Sequence, residues 1–151
     1  MHIATGHDIE HVAEILGHSE VLPFIADDSP FVDPVATATA CILNDSIYVL
    51  IPNAYAVFAF MPRNYVMYEI HSAILPEGRG SENGSKDAAN AAVEWMFENT
   101  PCEKIISWVP SYNKTALHFA LACGCKQEGV VKDSYKKDGK LYDQYLVGRE
   151  K

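Results

Sequence analysis

Positive charge is missing from the start of this chain. No Lys or Arg precedes Arg63, while eight acids (Asp8, Glu10, Glu14, Glu20, Asp27, Asp28, Asp33 and Asp45) fall in that stretch. Over 151 residues, 12 Lys and Arg stand against 20 acids, a formal charge of −8. That deficit excludes the basic stripe by which nucleic acid is held, so no nucleic-acid partner is expected. A cationic partner would instead be drawn to the N-terminal part. Long apolar runs are missing too. The longest, residues 54–61, falls far short of the roughly 20 residues of a spanning helix, so no membrane partner is expected. The opening Met-His-Ile-Ala-Thr, with acids close behind, lacks both the charged and the apolar part of a secretory signal. Cysteine is scarce: Cys41, Cys102, Cys123 and Cys125 read as free thiols in a reducing, cytoplasmic compartment. Cys123-Gly124-Cys125 has no second ligand pair at zinc spacing, and no metal is expected. Repeats and low-complexity tracts are absent, and the length suits one domain, residues 1–151, with 48% hydrophobic residues for its core.

What is present begins with helices. Asp8 stands at an N-cap position before Ile9, Val12, Ala13 and Leu16, which recur at helical spacing until Gly17. A second short helix is expected over 19–26, before Asp27-Asp28-Ser29-Pro30 breaks the chain. From Thr37 the pattern reads as β, with residues 39–43 either a strand or a connector. A meander follows, with strands over 47–51, 55–61 and 65–75 separated by turn residues. Ala89, Ala92, Val93 and Met96 mark an amphipathic helix, with Ser85 as its cap. Residues 103–109 read as a buried strand and 113–123 as a helix ended by Gly124. Strands over 126–132 and 141–147 then flank the hairpin turn Asp138-Gly139.

Two places in this order carry chemistry. Residues 76–85 (Pro-Glu-Gly-Arg-Gly-Ser-Glu-Asn-Gly-Ser) lead from a strand into a helix. Such a loop turns backbone N–H groups toward an anion, and the helix N-terminus adds roughly half a positive charge. Gly80, Gly84 and Ser85 would supply the amides and Arg79 a direct cation. On the strand over 65–75, Tyr68, Ile70 and Ser72 face one way, and Glu69, His71 and Ala73 the other. Glu69 and His71 therefore sit side by side, and His71, with an unperturbed pKa near 6.5, is the base candidate if that face lines a cleft. Tyr112, at a strand exit, is a candidate proton donor. His7 and His11 share a helix face without further ligands. Trp95 and Phe97 flank a core stripe and would support a homodimer contact or another helix. Lys132, Lys136, Lys137 and Lys140 cluster at the last hairpin.

Asn113-x-x-Ala116 with Gly124 eleven residues beyond the Asn, the Pro76…Arg79-Gly80…Gly84 loop and the element order together resemble the GNAT superfamily of acyl-CoA-dependent N-acyltransferases. The resemblance runs from about residue 47 to 147. It implies an α/β (α+β) fold: a single domain with a mixed, mostly antiparallel sheet, helices on both faces and a splayed central strand pair. It implies acetyl-CoA (CoA) as co-substrate, its pyrophosphate on Arg79, Gly80, Gly84 and Ser85, and its arm along an exposed strand edge at Ile74 and against Asn113. The Lys cluster at the last hairpin would lie near the CoA 3′-phosphate. The family pattern is departed from at Glu82, where a Gly is usual, and at Ala120, where a general-acid Tyr is usual. Cys125 replaces an aromatic, and Trp108 stands where some members carry a Glu.

The resemblance therefore implies an N-acetyltransferase acting on a small-molecule amine or a Lys-bearing protein, with Glu69 or His71 activating the amine. The alternative is a GNAT-fold protein without catalysis that serves interaction or assembly. In that sense the chain also resembles small GNAT-like proteins of tailed phages and prophages.

Overall fold

The computed structural model describes residues 1–29, 33–79 and 84–151. Seven strands form one sheet in the order β1-β2-β3-β4-β5-β7-β6. In chain order the elements are β1 (His2–Ile3), α1 (Ile9–Gly17), α2 (Leu22–Ile25), α3 (Pro34–Ile42), β2 (Tyr48–Asn53), β3 (Ala56–Pro62) and β4 (Met67–Ile74). They continue with α4 (Ser85–Asn99), β5 (Lys104–Pro110), α5 (Lys114–Ala122), β6 (Lys126–Lys137) and β7 (Lys140–Glu150). No described helix is long and apolar enough to cross a membrane.

The two-residue period of the strands divides the core into two layers. Leu50, Phe58, Phe60, Tyr68 and Ile105 point to one face, where α4 lays down Ala88, Ala89, Ala92, Val93, Met96 and Phe97. Val49, Ile51, Val57 and Ala73 point to the other, against Val12, Ala13 and Ile15 of α1 and Ala38 of α3. The alanines of α4 and α3 let both helices lie close on the sheet. Trp95 and Phe97 belong to this interior: Trp95 packs on Tyr48 with ring centroids 6.0 Å apart, and Phe97 is buried beneath the Arg149 guanidinium. Phe97 is therefore not available for a homodimer contact, while Trp95 is partly buried.

Residues 34–42 correct the expected β character after Thr37. Asp33 caps the helix by accepting from Val35 N (2.9 Å) and Ala36 N (3.2 Å), and Pro34 is at home in its first turn. The β-branched Thr39 is accommodated because its hydroxyl donates back to the Val35 carbonyl at 2.7 Å. The α4 cap also shifts by one residue, to Gly84 instead of Ser85. Asp8 acts one turn earlier than expected, its carboxylate accepting from Thr5 N at 2.7 Å.

All neighbouring strands are antiparallel except β4 and β5, joined by the crossover through α4. This parallel pair is registered only at Met67–Lys104, Tyr68–Ile105 and Glu69–Ile106. Beyond it, β4 keeps its outer partner β3 as far as Ile74, and β5 keeps β7 as far as Pro110. The central strands thus diverge while each stays fixed on its far side. The sheet opens as a V.

Candidate active site

The gap between β4 and β5 is the mouth of a cleft of about 1070 Å³ that reaches both faces of the sheet. Its two walls expose different chemistry. Val66 O accepts from Lys104 N toward β5, while Leu75 N donates to Tyr55 O toward β3. Backbone groups of alternate residues point to opposite neighbours, so the even members of β4 (Ile70, Ser72 and Ile74) direct theirs into the gap. Ile74 O there accepts from Arg79 Nε at 3.2 Å. The side chains of β4 sort the other way: Glu69 and His71 lie on the face carrying α1 and α3.

Glu69 is the one buried charged residue of the described chain, and every part of its carboxylate is engaged. Arg63, from the turn before β4, donates through Nε at 2.7 Å and through its terminal nitrogen to Oε2. His71 Nε2 lies 3.0 Å from Oε1. A buried carboxylate needs such partners, and the arrangement holds the half-exposed imidazole by one nitrogen while leaving Nδ1 free. Glu69 and His71 both line the cleft, together with Trp108 from the opposite wall.

At the other end of β4, Arg79 and Ser85 also line the cleft. Gly84 has φ +41°, and a Cβ there would come within 2.8 Å of an Asp87 carboxylate oxygen, so only glycine closes this turn onto the helix. Ala88 N makes the first helical bond to Gly84 O, at 2.7 Å, which leaves the amides of the first turn without intrahelical partners. Amides at such a helix start favour an anion, with Arg79 adding positive charge and Asp87 opposing it. The Arg79 terminal nitrogen also donates to Glu20 O at 2.7 Å, tying the loop to the chain after α1. Gly80, and Glu82 beside it, lie outside the described residues.

Asn113 lines the cleft, and its side-chain oxygen caps α5 by accepting from Ala116 N at 3.0 Å. That bond explains the Asn-x-x-Ala spacing and leaves the amide nitrogen for a ligand. Tyr112 is not brought to the cleft. Its ring packs edge-on against Tyr142, centroids 4.6 Å apart, and burial pushes its phenol pKa up. Tyr135 lines the cleft instead. It gets there because β6 carries a bulge between Val131 and Tyr135, closed by Asp143, which accepts from Lys132 Nζ at 2.9 Å and Asp133 N at 3.0 Å. Burial pushes the Tyr135 pKa far up, so the phenol stays protonated.

The four cysteines are free, and burial raises each thiol's pKa, including those of Cys123 and Cys125 in the cleft. None is poised as a thiolate nucleophile. No group of three His, Cys, Asp or Glu suited to a metal occurs among the described residues. Of the hairpin lysines, Lys132 pairs with Asp143, Lys137 donates to Ala26 O at 2.7 Å, and Lys140 sits over the Tyr142 ring.

That hairpin forms a strap across the V. Asp138 and Gly139 turn with φ of 51° and 76°, which presents both amides to the Asp28 carboxylate at 2.7 Å. These two bonds lower the Asp28 pKa. A depressed carboxylate contributes its stabilisation above the unfolded value and loses it as pH falls through the folded one. Hydrogen-exchange protection of Asp138 and Gly139 should therefore hold near neutral pH and be lost below the usual carboxylate range. In Asp28→Asn it should be weak at every pH, as NMR exchange would read directly.

Comparison with solved structures matches the whole arrangement. A Vibrio cholerae spermidine N-acetyltransferase in complex with CoA and spermine superposes with a TM-score of 0.79 at 16% identity, over 99% of this chain and 93% of the other. A chimera of that enzyme gives 0.81 at 15% identity, over 99% and 93%. A GNAT-family acetyltransferase from Bacillus anthracis gives 0.74 at 19% identity, over 95% and 89%. The fold is that of the GNAT acetyltransferases. By sequence, no family model and no curated protein matches. The mostly antiparallel sheet with its parted central strands is the fold that the resemblance implied.

Proposed function

We propose that this protein is an acyl-CoA-dependent N-acyltransferase that acetylates an amine. The observation that carries the reading is the divergence of β4 and β5 after Glu69 and Ile106. It brings a free strand edge, a helix N-terminus and the Glu69–His71 pair to one cleft. Arg79, Gly80, Gly84 and Ser85 would hold the pyrophosphate, the Ile74 edge and Asn113 the arm. Acetyl-CoA, when bound, supplies the acyl thioester.

The chain's own groups account for the rest. Glu69, held by Arg63, fixes the imidazole so that Nδ1 of His71 takes the proton the amine releases. As the new N–C bond forms and the C–S bond breaks, N–H groups of the β4 edge face the carbonyl oxygen that gathers charge. Ala120 offers no proton to the leaving sulfur, and the protonated phenol of Tyr135 is a donor that lines the same cleft.

Calorimetric titration with CoA tests the reading. Wild-type protein should bind at micromolar concentration, and Arg79→Glu should weaken binding by about 10- to 100-fold, the scale of a lost charge-assisted hydrogen bond turned repulsive. Unchanged thermal unfolding of the variant separates this from loss of the Glu20 tie. No binding at millimolar CoA would sink the proposal in favour of the interaction or assembly role.

A further inference from the structure

From the lining of the cleft we infer that the acceptor is a primary amine carried on an apolar, ring-sized body with a single positive charge, not a polyamine. The inference rests on the acyltransferase reading and names its substrate class. On the face of His71, the cleft is walled by Val21, Phe24, Ile25, Met61, Trp108 and Tyr135. Tyr135 is neutral because its phenol stays protonated.

Among the described residues, the N-terminal acids that could recruit a polycation, Asp27 apart, do not line the cleft. Asp27 accepts from Ser29 N at 2.8 Å. Asp28 is held by the hairpin amides, Asp33 caps α3, and Asp8 is bound to Thr5 and His2. Glu10 and Glu14 line a separate hollow. Glu69 is balanced by Arg63. A second or third ammonium would find Asp27 as the one unbalanced carboxylate among the described cleft residues and would otherwise be desolvated against rings and aliphatic side chains, which is costly. An aromatic body gains from the same surface. Desolvation also lowers the amine's own pKa, favouring the neutral nucleophile next to His71. The amine then forms the N–C bond, the thioester C–S bond breaks, and the displaced proton goes to His71.

The test uses the full chain and mass-spectrometric detection of the acetylated amine, with CoA calorimetry alongside. Acetylation of 2-phenylethylamine should exceed that of spermidine by about 100-fold in kcat/KM, as expected for excluding unpaired charge from an apolar site. Phe24 is 60% exposed, so its replacement leaves folding intact. Phe24→Ala should cost about tenfold in kcat/KM for phenylethylamine, mostly in KM, and Phe24→Glu should narrow the preference. Spermidine acetylated as well as phenylethylamine would overturn the inference, as would CoA binding with neither amine acetylated. In both cases the acyl-CoA reading survives. Failure to bind CoA would remove both.

Discussion

Replacing His71 by Ala should lower turnover by about 100- to 10,000-fold, the range contributed by a positioned general base, while leaving CoA affinity unchanged. The reason is geometric. His71 shares a face with Glu69, away from the side where α4 and the coenzyme cradle lie, and its Nε2 is anchored 3.0 Å from Glu69 Oε1. Its side chain is 53% exposed, so its loss removes little packing. The pH–rate profile should separate a base from a bystander: the limb that reports deprotonation of the base should vanish in His71→Ala and persist in Phe24→Ala. Arg63→Ala gives the complementary result. It strips a buried carboxylate of one partner and should lower kcat more than it raises KM, because Arg63 acts through Glu69 and touches no substrate. Unimpaired acetylation by His71→Ala would sink its role as base.

Much of the geometry of this cleft is legible in the sequence. The alternation along β4 put Glu69 and His71 on one face because a strand's period is two, whatever surrounds it. Asn113, which the resemblance set against the coenzyme arm, also caps α5 by accepting from Ala116 N, a role the sequence reading did not assign. The strand meander was legible from turn residues. Residues 34–42 were not, because a run of Ala and β-branched Thr has weak preference, and Asp33, Pro34 and contact with α1 decide it. Tyr135 was hidden by a bulge: Lys132-Asp133-Ser134 broke the alternation that would have pointed to its ring. The engagement of Asp28 by the turn at Asp138 joins positions 110 residues apart, and no local pattern foreshadows it. Arg63 offered a faint signal, a lone cation six residues before a strand Glu. The acidic N-terminal stretch suggested an attractor for cations. In the fold four of those eight carboxylates, Asp8, Asp27, Asp28 and Asp33, cap helices or pin loops.

The largest effect on stability is expected at Phe58. Its side chain is fully buried on the face covered by α4, and it pairs with Leu50 of β2 and Ser72 of β4. Ser72 belongs to the freed edge of β4, so Phe58 supports from within the strand that stands without a partner on its other side. Phe58→Ala removes the ring and leaves a cavity that the sheet, braced by β2 and β4, closes poorly. The loss should be about 3–5 kcal/mol by urea denaturation. Against a typical total of about 5–15 kcal/mol, that leaves a marginal domain. Phe58→Leu should lose less, and Tyr65→Ala, at a ring 78% exposed, should stay within about 0.5 kcal/mol. CoA affinity of the folded fraction should drop in Phe58→Ala and hold in Tyr65→Ala, because a slackened β4 misaligns its free edge. If Phe58→Ala lost stability while binding CoA normally, the rigidity of that edge would be set by β3 pairing alone, with the ring beneath it serving only the core.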